Sequence, residues 1–462
     1  MQKVFKSCYE MDNKCYTKYA LNEDILMEHA SSSMEQFIRE KFEPKSSILV
    51  VSGAGNNGAD GIALARLLQN DYRVFLYLPF GAKSEMAIKQ LERASLVGVE
   101  VIDSIKETDV IVDALFGAGL NRELNLKSIE IIEELNNLNS YKIACDIPSG
   151  IDINGNPLPT AFIANTTITM GALKEALFSD SAKDYVGKII VANLGVSREL
   201  YEDNSSTFVL ESSDYTPPIR TKQNTHKGSF GHASIYCGQK SGAAIIASMA
   251  ASRFGAGLTT IIYHENVEVP PYIMKATNLP KNTTAIAIGM GLGNFFEDDS
   301  LQKEVINSNT PIVLDADALY KKELLEIIKQ DREVVITPHP KEFSAILKIL
   351  ENKELTISQI QKNRLTLAKE FSLKYPNCTL LLKGANPIIA KKGELFINPL
   401  GSNILAEGGS GDVLSGLIVA LLAQGYSQLD SAINGSLALS IASNKYNKPN
   451  YTYIATDIID FL

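Results

Sequence analysis

Glu407-Gly408-Gly409-Ser410-Gly411-Asp412-Val413-Leu414-Ser415-Gly416 sets a carboxylate inside a glycine-rich turn that runs into an apolar stretch. Glycine and serine let backbone N–H groups approach an anion closely. The pattern from 413 to 424 predicts a helix. Its N-terminus would offer free amides and the positive end of the macrodipole to a phosphate. Asp412 would repel a phosphate that was only trapped. Beside a phosphate that is being transferred, it can take the proton of an attacking hydroxyl. A carboxylate also favours a helix start by electrostatics alone. The glycines and the Asp together favour the phosphoryl-transfer base.

Three more stretches put polar residues at strand ends, where ligands gather in open α/β sheets. They are Leu314-Asp315-Ala316-Asp317-Ala318-Leu319, Thr337-Pro338-His339-Pro340-Lys341-Glu342 and Leu382-Lys383-Gly384-Ala385-Asn386-Pro387. Lys383 could neutralise a phosphate, or snorkel from a sheet edge. His339, stiffened by a proline on each side, suits a ligand contact, although a lone His is more often structural.

The N-terminal half has its own set. The run 47–52 leads into Gly53-Ala54-Gly55-Asn56-Asn57-Gly58-Ala59-Asp60-Gly61. Its spacing is not that of the Rossmann fingerprint. A tight turn explains the glycines but not the Asn-Asn-Gly-x-Asp string. Val112-Asp113-Ala114-Leu115-Phe116-Gly117-Ala118-Gly119-Leu120-Asn121-Arg122 and Cys145-Asp146-Ile147-Pro148-Ser149-Gly150-Ile151-Asp152 end two further strands. These ends would bring Asn57, Asp60, Asp113, Asp146 and Ser149 together. Such oxygens are hard ligands, suited to an alkali or alkaline-earth cation rather than zinc. Any single Asp could equally cap a loop.

The elements that must carry these residues follow a βαβ rhythm. Strands are expected at 47–52, 73–78, 109–115 and 141–147, and helices at 22–41, 61–69, 84–97 and 129–138. Polar residues 202–206 and the pair Pro217-Pro218 break the pattern. A second alternation follows, with strands at 233–237, 258–263, 285–289, 312–315, 334–337 and 379–383. Helices are expected at 243–254 and 355–375, and a small hairpin should turn at Lys392-Gly393. The reading is two doubly wound α/β domains, 1–212 and 213–462.

The 462 residues suffice for two cores. A net charge of −9 leaves no basic footprint for nucleic acid. Five scattered cysteines, Cys8, Cys15, Cys145, Cys237 and Cys378, fit free thiols in a reducing cytosol better than a disulfide framework or a zinc site. The N-terminus lacks the apolar core of a signal peptide, and no run is long enough to span a bilayer.

The strings Gly-x-Gly-Asn-Asn-Gly-x-Asp-Gly (53–61), Asp-Ala-Leu-Phe-Gly-x-Gly-Leu (113–120) and Asp-Ile-Pro-Ser-Gly (146–150) resemble the NAD(P)H-hydrate epimerase family, with its Rossmann-like three-layer sandwich. That resemblance implies a potassium ion held by Asn57, Asp113 and Ser149. It implies contacts to a hydrated dinucleotide from Asn56, Asn57, Gly58, Ala59, Asp60, Gly117, Ala118, Gly119, Leu120, Asn121, Arg122, Glu123 and Asp146. Asp146 is the expected acid–base group. Residues 164–174 resemble a later strand of that family.

The Gly-Gly-Ser-Gly-Asp string with its companion strand ends, with 226–232 and with Gly289-Met290-Gly291-Leu292-Gly293, resembles the ribokinase-like fold. More narrowly it resembles the ADP-dependent NAD(P)H-hydrate dehydratases. By that resemblance Ala243, Gly291, His339 and Asp412 touch the hydrated nicotinamide. Lys383, Gly384, Ala385, Asn386, Pro387 and Gly411 would bind the adenine nucleotide, ADP with magnesium. Related enzymes suggest a homo-oligomer. The chain departs from these patterns at Ala59, where a second glycine is usual, and at Asn165, His232, Met290 and Glu407. Two other functions compete. One is a small-molecule kinase of the ribokinase-like fold. The other keeps the N-terminal half only as a binding module.

Overall fold

The computed structural model describes residues 1–120, 122–293 and 299–462. The chain divides into two compact units, Lys3–Ser205 and a second built from Met1–Gln2 with Ser206–Leu462. Residues 206–212, read from the sequence as the end of the first domain, belong to the second unit. There Thr207–Val209 pairs in parallel with Glu394–Ile397.

The first unit holds a parallel sheet of seven strands. In spatial order they are Glu100–Ile102, Arg73–Tyr77, Ser47–Ser52, Val110–Ala114, Tyr141–Cys145, Thr166–Met170 and Lys188–Ala192. Ser47–Ser52 is buried at every position. A run of Ile, Leu and Val without alternation requires cover on both faces, which the helices supply. Their starts are set by side chains. Asn22, Ser84 and Asn125 accept the backbone N–H of Ile25, Ala87 and Ser128. After Ser47–Ser52 the chain first adds strands on one side, then crosses to Val110–Ala114 on the other. The loops leaving these two strands therefore part, and a crevice opens at their carboxyl ends.

The second unit repeats the logic. Its parallel strands run in the order Met274–Ala276, Leu258–Ile262, His232–Tyr236, Ala285–Ile288, Ile312–Leu314, Val334–Ile336 and Cys378–Leu382. An antiparallel hairpin, Ile388–Lys391 with Glu394–Ile397, turns at Lys392 and Gly393, both at positive φ. Helix Ser410–Ala423 is buried almost all round and packs on Ser241–Arg253 and Gln428–Lys445.

Where the structure departs from the expectation, the cause is local. The span 355–375 is two helices, Ile357–Lys362 and Arg364–Lys374. Asn363 between them leaves helical angles, at φ −129° and ψ 25°. Helix Gln428–Lys445 was not anticipated, because its buried face is mostly Ser, Ala, Gly and Asn. Helix 61–69 begins earlier, at Asn56. Among the described residues no helix is long and apolar enough to cross a membrane.

Candidate active sites

In the first unit the crevice is a cavity of about 1080 Å³. Ten of the expected residues line it: Asn56, Asn57, Asp60, Gly117, Ala118, Gly119, Leu120, Arg122, Glu123 and Asp146. Asn121 lies outside the described residues. Gly58 and Ala59 do not line it. Helix Asn56–Leu68 starts at the cavity with no acidic residue in its first turn, a suitable seat for a pyrophosphate. Gly58 sits where a Cβ would lie 1.9 Å from the Gly53 carbonyl oxygen, so its need is steric.

Asp146 takes φ +69°, a left-handed angle rare for a residue with a side chain. Its Oδ1 lies 2.7 Å from Lys174 Nζ and accepts the N–H of Met170 at 3.2 Å; its Oδ2 accepts the N–H of Ala118 at 3.1 Å. Burial alone would push this carboxyl up. The Lys174 ammonium and these N–H groups outweigh burial and hold it below its ordinary range. Asp60 is the opposite case. Burial, then the negative charges of Asp146 and Asp12, push it well above the ordinary range. The same cavity thus favours the charged form of Asp146 and opposes that of Asp60.

Two of the expected cation ligands, Asp113 and Ser149, bond to each other, and the third, Asn57, lines the cavity. Ser149 donates its hydroxyl to Asp113 Oδ1 at 2.7 Å and its N–H to Oδ2 at 2.8 Å. The Ser149 oxygen accepts the N–H of Phe116 at 2.8 Å. Asp113 is wholly buried, and burial pushes its pKa up to about 6 despite these bonds. Asn57 Nδ2 is buried without a hydrogen-bond partner. A buried carboxylate, a hydroxyl oxygen and the amide oxygen of Asn57 are hard donors of the kind a monovalent cation takes; the Asn57 amide nitrogen, a donor, would not ligate it.

In the second unit, helix Ser410–Ala423 starts behind Gly409, at φ +97°. Asp412 stands in its first turn. Burial, then the charge of Asp315, push its pKa up to about 6, against the pull of Lys383. Lys383 Nζ donates to Asp315 Oδ1 at 2.8 Å and lies 3.8 Å from Glu342 Oε2. Asp315 Oδ2 accepts the hydroxyl of Ser415, one turn beyond Asp412, at 2.8 Å. Lys383 is therefore not a bare cation; two carboxylates hold it. A Cβ on Gly411 would lie 3.5 Å from Lys383 Nζ, so this glycine opens directly onto the ammonium. Buried Arg364 donates to the carbonyls of Leu382 and Lys383 at 3.0 and 3.1 Å and fixes that strand end.

Gly291, at φ +61°, is clasped by Lys240, whose N–H meets its carbonyl at 2.9 Å. Ala243 lies in the first turn of the next helix, Ser241–Arg253. That helix meets Ser410–Ala423 closely at Gly416, where a Cβ would lie 2.2 Å from the Ala247 carbonyl oxygen. Gly384 and Ala385 are exposed after Cys378–Leu382, and Asn386 is buried. His339 has a structural task. Its Nδ1 accepts the N–H groups of Lys341 and Glu342, capping helix Pro340–Glu351, while Glu342 accepts the N–H of His339 in return.

The family model described as NAD(P)H-hydrate dehydratase matches residues 233–462, and that described as YjeF-related protein N-terminus matches residues 23–176. A bifunctional NAD(P)H-hydrate repair enzyme of Helicobacter pylori is 40% identical over 471 residues, covering 100% of this chain and 99% of its own. The chain belongs to the bifunctional NAD(P)H-hydrate repair enzyme family. A relative of the same description from Dictyoglomus turgidum is 32% identical and covers 98% of this chain and 95% of its own. The crystal structure of an ADP/ATP-dependent NAD(P)H-hydrate dehydratase from Bacillus subtilis, co-crystallised with ATP and Mg²⁺, is 27% identical with a TM-score of 0.45. It covers 54% of this chain and 93% of that one.

Of the departures from the family's pattern, Ala59 and Asn165 do not line the first unit's cavity. The Ala59 methyl is fully buried in the core and does not line the cavity, although the resemblance gave residue 59 a contact to the dinucleotide. Met290 is likewise core. The Asn165 side chain accepts the N–H of Lys142. His232 is buried against the Thr260 hydroxyl. Glu407 is exposed. Sequence reasoning missed Lys174, Asp315 and Arg364 as site-building residues. Lys174 ends the 164–174 segment that resembles the family, but nothing in that segment marks it for a role.

Proposed function

We propose that the chain repairs hydrated NADH and NADPH. The N-terminal unit interconverts the R and S hydrates. The C-terminal unit dehydrates the S form with ADP, giving NAD(P)H, AMP and phosphate. The observation that carries this reading is Asp412 in the first turn of a glycine-led helix, with Lys383 held against Gly411, in a chain 40% identical along its length to a bifunctional repair enzyme.

Hydration of an enamine puts the hydroxyl on the carbon next to nitrogen, since protonation at the far carbon leaves an iminium there. Hydroxide leaves badly. Phosphate leaves better, because water has a pKa of about 15.7 and a phosphate ester a second pKa near 6. At about 1.36 kcal/mol per unit, the difference approaches roughly 13 kcal/mol as an upper bound. Asp412 takes the hydroxyl proton, and the oxygen attacks the terminal phosphorus of ADP, brought as its magnesium complex. The P–O bond to AMP breaks. The backbone amides of residues 408–411 and Lys383 hold the transferring group. Phosphate then leaves the carbon, and loss of a neighbouring ring proton restores the double bond.

His339, Ala243 and Gly291 flank the ring in this reading, and residues 383–387 take the nucleotide. In the N-terminal unit, Asn56, Asn57, Asp60, residues 117–120, Arg122, Glu123 and Asp146 contact the dinucleotide, and Asp146 is the acid–base group. Asn57, Asp113 and Ser149 would hold potassium, whose charge steadies the phosphates and offsets Asp113. The five buried free thiols support work in the cytosol.

The test mixes both hydrate epimers with ADP and follows NADH absorbance. Full recovery supports both activities. Recovery that slows to the spontaneous epimerisation rate at half conversion refutes the N-terminal activity. No recovery refutes the dehydratase. Asp412→Ala should abolish dehydration and leave epimer interconversion intact.

A further inference from the structure

Lys174 ends the short strand Leu173–Lys174, and the residue is 3% exposed yet borders the cavity. Its ammonium meets Asp146 Oδ1 at 2.7 Å and donates to Thr169 Oγ1 and the Met170 carbonyl, each at 3.0 Å. An ammonium has three protons, and all three are placed. Lys174 therefore has none to spare as an acid. The two oxygens of Asp146 differ. Oδ1 is engaged by Lys174 and the Met170 N–H. Oδ2 receives the Ala118 N–H and faces Gly117, where a Cβ would lie 3.2 Å away. The missing side chain at 117 leaves that oxygen open. The left-handed backbone at Asp146 is costly, and strain of this kind persists where the surroundings over-determine it.

We propose that Lys174 is a positioning residue of the epimerase site, pinning Asp146 Oδ1 so that Oδ2 meets the ring hydroxyl as proton acceptor. This rests on the reading of the N-terminal unit as an epimerase. The step balances without a further reagent. The hydroxyl proton passes to Oδ2, C–O becomes C=O, and the ring C–N bond breaks with its electron pair moving to nitrogen and into the conjugated carboxamide. Nitrogen then closes on the other face of the carbonyl, and the oxygen recovers the proton from Asp146. Besides Lys174, the groups that feel the charge of Asp146 are Asp60, Asp12, Cys8 and Cys145.

The test uses the full chain without ADP, so that the dehydratase is idle, and separates the epimers by chromatography. Lys174→Met should lower the epimerisation kcat by about 10²-fold, the lower end of what a proton acceptor supplies. KM should move less than threefold. The acid limb of the pH–rate profile should move to higher pH, and Lys174→Arg should restore part of the rate. Because Lys174 acts through Asp146, Lys174→Met with Asp146→Asn should be no slower than Asp146→Asn alone. An unchanged kcat in Lys174→Met, or a double variant slower than Asp146→Asn by tenfold or more, overturns the proposal. Should Lys174→Met fail to fold, the double variant, which buries no lone charge, and Lys174→Arg decide by the same criteria. A wild-type chain that does not interconvert the epimers refutes the epimerase reading itself, a different result from an active wild type indifferent to Lys174.

Discussion

Asp412 is opposed in its charge by burial first and by Asp315 second, and its pKa of about 6 sets where a base at this position stops working. Only the ionised form accepts a proton. Dehydration should therefore fall about tenfold per pH unit below about 6 in kcat/KM, and hold level above it. Asp315→Asn removes a like charge, so the limb should shift to lower pH. It also loosens Lys383, so KM for ADP should rise in the same variant. A limb that stays in place would show that Asp315 does not tune Asp412. Gly411 offers a cleaner probe of the phosphate cradle. An added methyl there meets Lys383 Nζ at 3.5 Å, an ordinary contact. Gly411→Ala should keep Tm within a degree or two and raise KM for ADP at least tenfold, read by initial rates against ADP concentration.

Among the elements, helix Pro340–Glu351 depends on an unusual cap. Losing a side-chain cap costs about 1 kcal/mol, or roughly 2–4 °C in Tm for a domain of this size. His339→Ala should show that loss in a melting curve. His339→Asn keeps a good cap, so its Tm should match wild type; any rise in its KM for the hydrate then isolates the contact to substrate. The helix start, strand end and turn that bear Asn57, Asp113 and Ser149 form another unit of this size. A cation bound at a hundredfold excess over its Kd stabilises by about 2.7 kcal/mol. KCl should raise Tm relative to choline chloride at equal ionic strength, and Asp113→Asn should abolish the difference. What could be read in advance at this scale was whatever steric need forces on residue type. The turn at Gly58 and the helix crossing at Gly416 leave no room for a Cβ, and glycine advertises this. The cap at His339 had a legible signature in Pro340 and Glu342, obscured because His is not a usual capping residue. Lys174 had none. It is a lone lysine after the turn at Gly171, and its partner Asp146 lies far back in the chain. The Ala59 methyl was misplaced because a loop was expected where the helix had already begun. Once Asn56 starts the helix, position 59 points inward.

At the scale of the molecule, both units close their cores over every cysteine. Cys8, Cys15, Cys145, Cys237 and Cys378 are all free and buried, with burial raising each thiol above its ordinary pKa. Thiolate is the reactive form, so the native chain should be almost inert to a disulfide reagent such as DTNB, while the unfolded chain should yield five equivalents. Slow labelling of the native protein would then report local opening at each site. Cys8 differs from the rest because it lines the first unit's cavity. It should be the first thiol to react. A dinucleotide added in excess should delay that one reaction and leave the other four at their own pace, giving a count of occupied cavities that needs no turnover.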